Sequence, residues 1–132
     1  MSDPALKSIL YVEDDLHVRT TATLVLEVIG KFNVRACGSG HEALIAAESF
    51  GPDLILLDVM MPELDGLETL ALLRSLPHLA DTPALFVTGL TTPDDIERYM
   101  AAGAIGVIPK PLVPLRLTSQ VHALWEERLQ PA

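Results

Sequence analysis

Short apolar runs alternate along the chain with segments in which apolar residues recur every three or four positions. The apolar runs cover residues 9–12, 33–36, 54–57, 84–87 and 105–108. Their length and apolar content predict buried β-strands, the second less strongly because it carries Arg35. A segment with helical spacing follows each run, as at residues 15–29 after the first. The pattern therefore predicts successive strand–helix units.

Capping and helix-breaking residues mark the predicted helix ends. Asp15 precedes the first helix as an N-cap, and Ser39 with Glu42 three residues later has the pattern of a capping box. Thr92 precedes a proline at the first helical position and two acids in the first turn. The predicted helices cover about residues 16–29, 40–50, 67–76, 93–102 and 115–125, the third after a turn signal at 65–66.

Loops of a few residues between these units require parallel strands joined by right-handed crossovers, which place helices on both faces of the sheet. The sequence therefore predicts a doubly wound α/β fold of three layers. The chain has 132 residues, which corresponds to one domain, and no linker-like composition interrupts it. Residues 1–132 are expected to form that domain, with a core over about residues 6–128.

Composition narrows the functional classes. Hydrophobic residues make up 49% of the chain, which excludes a disordered protein. The formal net charge of −9 argues against direct nucleic-acid binding, which needs clustered cations. The single Cys37 excludes an internal disulfide and is expected to be a buried apolar residue. No apolar run approaches the ~18 residues of a membrane span, and no signal-peptide core is present, so a cytoplasmic protein without membrane contact is expected.

Polar residues stand where four of the predicted strands end. They are Glu13, Asp14 and Asp15 after the first strand, Asp58 after the third, Thr88 after the fourth and Lys110 after the fifth. The carboxyl ends of parallel strands meet at one edge of the sheet, where ligands bind in folds of this class. These side chains are therefore expected to converge.

Crowded carboxylates require a bound cation or raised pKa values. Oxygen ligands without His or Cys select a hard ion, Mg²⁺ rather than zinc. Asp58 would then be available as a nucleophile toward a phosphoryl group, whose oxygens Lys110 and Thr88 would hold. Taken singly, each residue has an ordinary explanation: Asp15 as a helix cap, Thr88 as a strand-end hydroxyl bonded to backbone, Lys110 as solvated surface. Their conjunction at four strand ends favours a site.

Four segments of the chain resemble the receiver domain of two-component response regulators. They are residues 9–15 (ILYVEDD), 58–66 (DVMMPELDG), 87–89 (VTG) and 102–111 (AGAIGVIPKP). The separations among Asp14, Asp58, Thr88 and Lys110 also fit that family, and the likeness covers about residues 6–128.

This resemblance implies a flavodoxin-like sheet in the order 2-1-3-4-5 and phosphorylation of Asp58. It implies Mg²⁺ bound by Asp14, Asp58 and the backbone carbonyl of Met60, with Glu13 acting largely through water. It also implies a cis peptide bond between Lys110 and the following proline, which would aim the lysine into the site.

The resemblance further implies a histidine kinase or a histidine phosphotransfer protein as phosphoryl donor. The receiver would catalyse only its own phosphorylation and dephosphorylation, so it is not an enzyme in the ordinary sense. Output would come from a protein target docked on the surface made by helix 4, strand 5 and helix 5. A single-domain regulator, similar to chemotaxis regulators, is the expected form, because only seven residues follow Trp125. A receiver excised from a longer protein would look the same from inside, although Met1 favours a natural N-terminus.

Two positions depart from the family pattern. Receivers usually carry an aromatic residue three positions before the lysine, and this chain has Val107 there. A side chain without a ring cannot swing inward with the threonine, so either loop and helix 4 movements alone carry the signal or the protein is chiefly a phosphoryl relay. Met60, two residues after Asp58, is apolar and cannot position an attacking water, which predicts slow loss of the phosphoryl group.

Two other functions share part of this pattern. A phosphohydrolase of the haloacid dehalogenase type needs a second Asp two residues after its nucleophile, where this chain has Met60. A receiver fold acting as an interaction module without phosphorylation is the remaining alternative, and Val107 is the feature that supports it.

Overall fold

A computed structural model describes residues 5–128. The strands are β1 (Ser8–Val12), β2 (Asn33–Cys37), β3 (Leu54–Asp58), β4 (Ala84–Thr88) and β5 (Ala104–Pro109). The α-helices are α1 (Leu16–Val28), α2 (Gly40–Ala47), α3 (Gly66–Leu73), α4 (Pro93–Ala101) and α5 (Pro114–Glu127), and a short 3₁₀ helix spans Pro77–Leu79. All neighbouring strands are parallel, in the order β2-β1-β3-β4-β5. The predicted doubly wound fold and strand order are confirmed.

The sheet separates two apolar cores, one on each face. Residues of α2, α3 and α4 build the first core together with side chains such as Leu57 and Phe86. Residues of α1 and α5 build the second, in which Tyr11 and Trp125 are buried. Every residue of β3 is buried, because this central strand is covered on both faces. None of the helices within residues 5–128 is long and apolar enough to cross a membrane.

Side-chain caps fix where the helices begin. The Asp15 carboxylate accepts hydrogen bonds from the N–H groups of His17 and Val18 at 2.9 and 3.1 Å, which confirms it as the N-cap of α1. Ser39 Oγ accepts from the Glu42 N–H at 3.0 Å, as predicted. The Glu42 carboxylate, however, accepts from the N–H of Gly38 at 2.7 Å, one residue before the cap. The β2–α2 loop is therefore held by the Ser39 cap and by the Glu42 carboxylate.

Two helix ends differ from the prediction. The second helix ends at Ala47 and the third at Leu73, each about one turn earlier than expected. The following N–H groups bond to carbonyls three residues back, so the last turn tightens into 3₁₀ geometry. At the start of α3, Asp65 is not merely a turn residue. It forms a capping box with Glu68, and the helix begins at Gly66.

Candidate functional site

The ends of four strands bring the predicted site residues to one edge of the sheet. Asp58 is the last residue of β3 and Thr88 the last of β4, and both are buried with 1% exposure. Asp58 is paired in register with Val87, the neighbour of Thr88. The Lys110 N–H donates to the Thr88 carbonyl at 2.9 Å, which ties the end of β5 to β4. The ends of β3, β4 and β5 therefore meet at one edge of the sheet, as expected, and place Asp58, Thr88 and Lys110 there.

Glu13, Asp14 and Asp58 form a carboxylate cluster. One carboxylate oxygen from each lies within 4.8 Å of the others. Asp58 Oδ2 is buried and has no hydrogen-bond partner among residues 5–128. Crowded carboxylate oxygens with an unpaired buried acceptor fit a hard divalent cation, because such a cation supplies the positive charge that the buried group lacks. The predicted magnesium ligands Glu13, Asp14 and Asp58 therefore lie together.

Asp15 lies outside this cluster because its carboxylate caps α1. The hydrogen bond from the Val18 N–H lowers the pKa of Asp15, since it favours the charged form. Met60 lies at the rim of the site with its side chain largely exposed. The role predicted for its carbonyl oxygen stays a prediction.

Lys110 supplies the positive charge that faces the cluster. Its Nζ lies 2.8 Å from Asp58 Oδ1 and 3.7 Å from Glu13 Oε1. The peptide bond between Lys110 and Pro111 is cis, as predicted. Partial burial alone would lower the pKa of Lys110, but the hydrogen bond and the charge of Asp58 outweigh it and raise that pKa. The ammonium group is therefore held charged beside Asp58.

The pKa of Glu13 is unusually high for a glutamate. Burial and the neighbouring Asp58 carboxylate raise the pKa of Glu13 to about 8, although the N–H of Asp15 donates to its Oε2 at 3.2 Å and opposes the shift. In the metal-free protein this shift favours the protonated form of Glu13 at neutral pH. A cation bound at the cluster would displace that proton.

Sequence patterns did not identify Arg19, which supports the site from α1. Its Nη1 donates to the backbone carbonyl of Glu13 at 2.8 Å and to that of Asp14 at 3.5 Å. These bonds hold the loop that presents the carboxylates. An arginine one turn into a helix that follows an acidic strand end is the only signal of this role, and such a residue is usually solvated.

A cleft of about 840 Å³ opens onto the carboxylates between α1 and the start of α5. Its polar end is the site itself, with Asp58 and Lys110 in its wall. Its apolar wall includes Val18, Leu112 and Leu117. The site is therefore open to a partner or a small molecule from this side.

Thr88 and the residues after it connect the site to α4. Its Oγ1 accepts a hydrogen bond from the Leu90 N–H at 3.0 Å, which leaves the hydroxyl proton free to be donated.

Val107 is paired with Phe86 in register and is half-buried, packed against the same core as Phe86 and Tyr99. The position that is usually aromatic in receivers therefore contributes only aliphatic packing here. Tyr99, which no sequence pattern singled out, is fully buried beside it.

Comparison with known proteins identifies relatives over most of the chain. The family model of the response regulator receiver domain matches residues 9–122. The chain is 33% identical over 121 residues to the DNA-binding response regulator MtrA of Mycobacterium bovis. It is 36% identical over 85 residues to the signal transduction histidine-protein kinase BarA of Escherichia coli. These matches cover 92% and 64% of this chain, but only 51% of MtrA and 9% of BarA.

Solved structures give the same likeness. The chemotaxis protein CheY4 of Vibrio cholerae matches with a TM-score of 0.83 and 30% identity, over 91% of this chain and 99% of that one. A CheY-like receiver domain protein from Methanospirillum hungatei matches with a TM-score of 0.79 and 27% identity, over 94% and 97% of the two chains. The similarity to whole structures thus extends across both cores and the site.

Proposed function

Since the chain belongs to the response regulator receiver domain family, we propose that Asp58 is the residue on which it accepts a phosphoryl group. Receiver domains are signalling phosphoacceptors of two-component systems. The observation that carries the assignment is the pairing of buried Asp58 with Lys110 Nζ at 2.8 Å, beside an unpaired carboxylate oxygen. A buried carboxylate that faces a cation and keeps one free oxygen is suited to attack phosphorus.

In the proposed reaction, an oxygen of Asp58 forms a bond to phosphorus while the bond from phosphorus to the donor atom breaks. The electron pair of the broken bond leaves with the donor, a histidine nitrogen or an acyl oxygen, which then takes up a proton as its own basicity requires. Lys110 holds the oxygens of the transferring group as a point charge, and the Thr88 hydroxyl donates its free proton to one of them. The chain thus catalyses its own modification.

The carboxylate cluster is the proposed holder of Mg²⁺, with Asp14 and Asp58 as ligands, the Met60 carbonyl as a third, and Glu13 acting largely through water. When bound, Mg²⁺ spreads the negative charge of the transferring phosphoryl group. Without the cation, the charges of Asp14 and Asp58 would repel one another and the incoming phosphate. Arg19 keeps the loop of Glu13 and Asp14 in place for this role.

We propose a histidine kinase or a histidine phosphotransfer protein as the donor. The similarity to part of a protein named as a signal transduction histidine kinase supports this donor class. The open cleft beside Asp58 gives a donor side chain access to the carboxylate. Small acyl phosphates have the same access and serve as a laboratory donor.

The proposed output is docking of another protein on the surface of α4, β5 and α5. Exposed side chains on this surface include Met100 of α4, Pro109 of β5 and Arg116 of α5. The net charge of −9 gives no support for direct DNA binding by this chain, although MtrA is named as a DNA-binding regulator. An added phosphoryl charge would bias the conformation of this surface.

Mapping the modified residue tests the proposal. The protein is incubated with acetyl phosphate and Mg²⁺, reduced with borohydride so that an aspartyl phosphate becomes homoserine, digested, and sequenced by mass spectrometry. Homoserine at position 58 is expected. Homoserine at Asp14 or at another carboxylate, with position 58 unmodified, would contradict the assignment.

A further inference from the structure

Both backbone polar groups of Leu90 are held by side chains that belong to different elements. Its N–H donates to Thr88 Oγ1 at 3.0 Å, and its carbonyl accepts from the Tyr99 hydroxyl at 2.9 Å. Thr88 ends β4, and Tyr99 lies in the second half of α4. The β4–α4 loop is therefore bridged from the phosphorylation site to the helix by a single residue.

The Tyr99 side chain is fully buried, so its hydroxyl needs that partner. Its exposure is 0%, and its ring lies 5.4 Å from the ring of Phe86 on β4. A buried hydroxyl that loses its acceptor is unfavourable unless it finds another. A displacement of Leu90 must therefore either carry Tyr99 and α4 with it or turn the tyrosine toward a new partner.

β5 offers no comparable connection at position 107. Val107 packs against the same core as Tyr99 but has neither a ring nor a hydroxyl. The hydrogen bonds of the described residues thus reach α4 from Thr88 only through Leu90.

We propose that Tyr99 is a positioning residue that couples the Thr88 hydroxyl to α4 through the backbone of Leu90. This inference rests on the proposed phosphorylation of Asp58. When the Thr88 hydroxyl donates to the phosphoryl group, its oxygen moves and Leu90 follows through its N–H. The hydrogen bond from Tyr99 transmits that movement to α4. A tyrosine on α4 would thus provide the coupling that an aromatic residue at the position of Val107 on β5 would otherwise provide.

The test uses amide NMR spectra of the full chain with and without beryllium trifluoride and Mg²⁺, a stable mimic of the phosphoryl group. Wild-type protein is compared with Tyr99→Phe, which removes only the hydroxyl, and with Tyr11→Phe as matched control. The Tyr11 hydroxyl is buried on the other face of the sheet and has no hydrogen-bond partner in the part of the chain that the structure describes.

In Tyr99→Phe, signals of Thr88 and Gly89 should respond as in wild type, while the response of α4 falls about two- to tenfold, the factor that one net hydrogen bond contributes to a two-state equilibrium. Tyr11→Phe should respond like wild type throughout. An undiminished α4 response in Tyr99→Phe, or an equal loss in both variants, would overturn the coupling through Tyr99 but not the proposed phosphorylation of Asp58. Wild-type protein whose Thr88 and Gly89 signals do not respond would overturn the proposed function and the inference with it.

A measurement on wild-type protein keeps the proposal testable if Tyr99→Phe does not fold. The carbonyl carbon of Leu90 and the ring of Tyr99 are followed by NMR as the mimic is added. Both should change together with the α4 amides. A response of the α4 amides with no change at either group would overturn the coupling.

Discussion

Lys110 Nζ lies 2.8 Å from Asp58 Oδ1, although the lysine follows β5 and the aspartate ends β3, with β4 between them. The hydrogen bond from the Lys110 N–H to the Thr88 carbonyl holds the backbone of the lysine beside the end of β4. The cation therefore meets the carboxylate at the point where a phosphoryl group would be attached.

Replacing Lys110 is expected to impair acceptance of the phosphoryl group. Lys110→Gln should slow phosphorylation by acetyl phosphate by about 10²-fold, because one pre-positioned charge contributes about that factor to a transition state. The rate is read from the growth of the phosphorylated mass with time. Lys7→Gln is the matched control, since Lys7 is exposed. Equal phosphorylation rates for the two variants would show that Lys110 does not assist phosphoryl transfer to Asp58.

Gly66 is expected to be indispensable for the position of Asp58. A Cβ at residue 66 would lie 2.3 Å from the Asp58 carbonyl oxygen, so the start of α3 or the end of β3 must move. Gly66→Ala should lower the free energy of unfolding by about 1–3 kcal/mol, the usual cost of overpacking, and slow phosphorylation as well. Urea unfolding gives the first quantity.

The control for this substitution is Gly51→Ala, because no atom of the described residues lies within 4 Å of a Cβ there. It should leave stability and phosphorylation near the wild-type values. A Gly66→Ala protein as stable and as reactive as Gly51→Ala would show that α3 does not position Asp58.

The strand ends could be predicted because each apolar run changes abruptly to polar residues where the strand ends. Asp58 and Thr88 each follow four buried residues in their own strands, and parallel topology then brings them together. The bond from Tyr99 to Leu90 could not be predicted, since a side chain that reaches a carbonyl nine residues earlier leaves no periodic pattern.

The early ends of α2 and α3 could not be predicted for a similar reason. Apolar spacing continues past Ala47 and Leu73, but the chain tightens to bonds three residues back before the prolines at 52 and 77. The capping box at Asp65 was visible as an acid three residues before Glu68. The neighbouring Gly66 favoured a turn instead, but in the structure these two residues cap and begin α3.

Binding of Mg²⁺ is expected to release a proton from Glu13. In the folded, metal-free protein the pKa of Glu13 is raised from 4.5 to about 8. The folded state therefore keeps a proton that the unfolded state has lost, so the stability of the metal-free protein falls as pH rises between these values. Mg²⁺ affinity should rise over the same interval, because the cation competes with the proton.

Isothermal titration calorimetry in buffers of different ionisation enthalpy measures the released protons. Glu13→Gln should abolish the release, whereas Glu27→Gln, on an exposed glutamate of α1, should leave it unchanged. Mg²⁺ binding without proton release near neutral pH would contradict the protonation assigned to Glu13.

Loss of the phosphoryl group is expected to be slow. Met60 lies at the rim of the site with 63% exposure, and its thioether offers only a weak acceptor to an attacking water. Met60→Glu should accelerate hydrolysis, because a carboxylate can orient that water. The decay of the phosphorylated mass after removal of acetyl phosphate gives both rates. A wild-type half-life of seconds, or a Met60→Glu protein that decays no faster, would contradict this role.

The intact mass of the protein after incubation with acetyl phosphate and Mg²⁺ decides whether Asp58 is a phosphoryl acceptor. Wild-type protein should gain about 80 Da, the mass of one phosphoryl group, and should not gain it with EDTA present. Asp58→Asn should gain nothing, whereas Asp81→Asn, an exposed aspartate away from the cluster, should behave like wild type. An equal gain in the Asp58→Asn protein would contradict the proposed acceptor, and no gain in any arm together with no Mg²⁺ binding would favour an interaction module that works without phosphorylation.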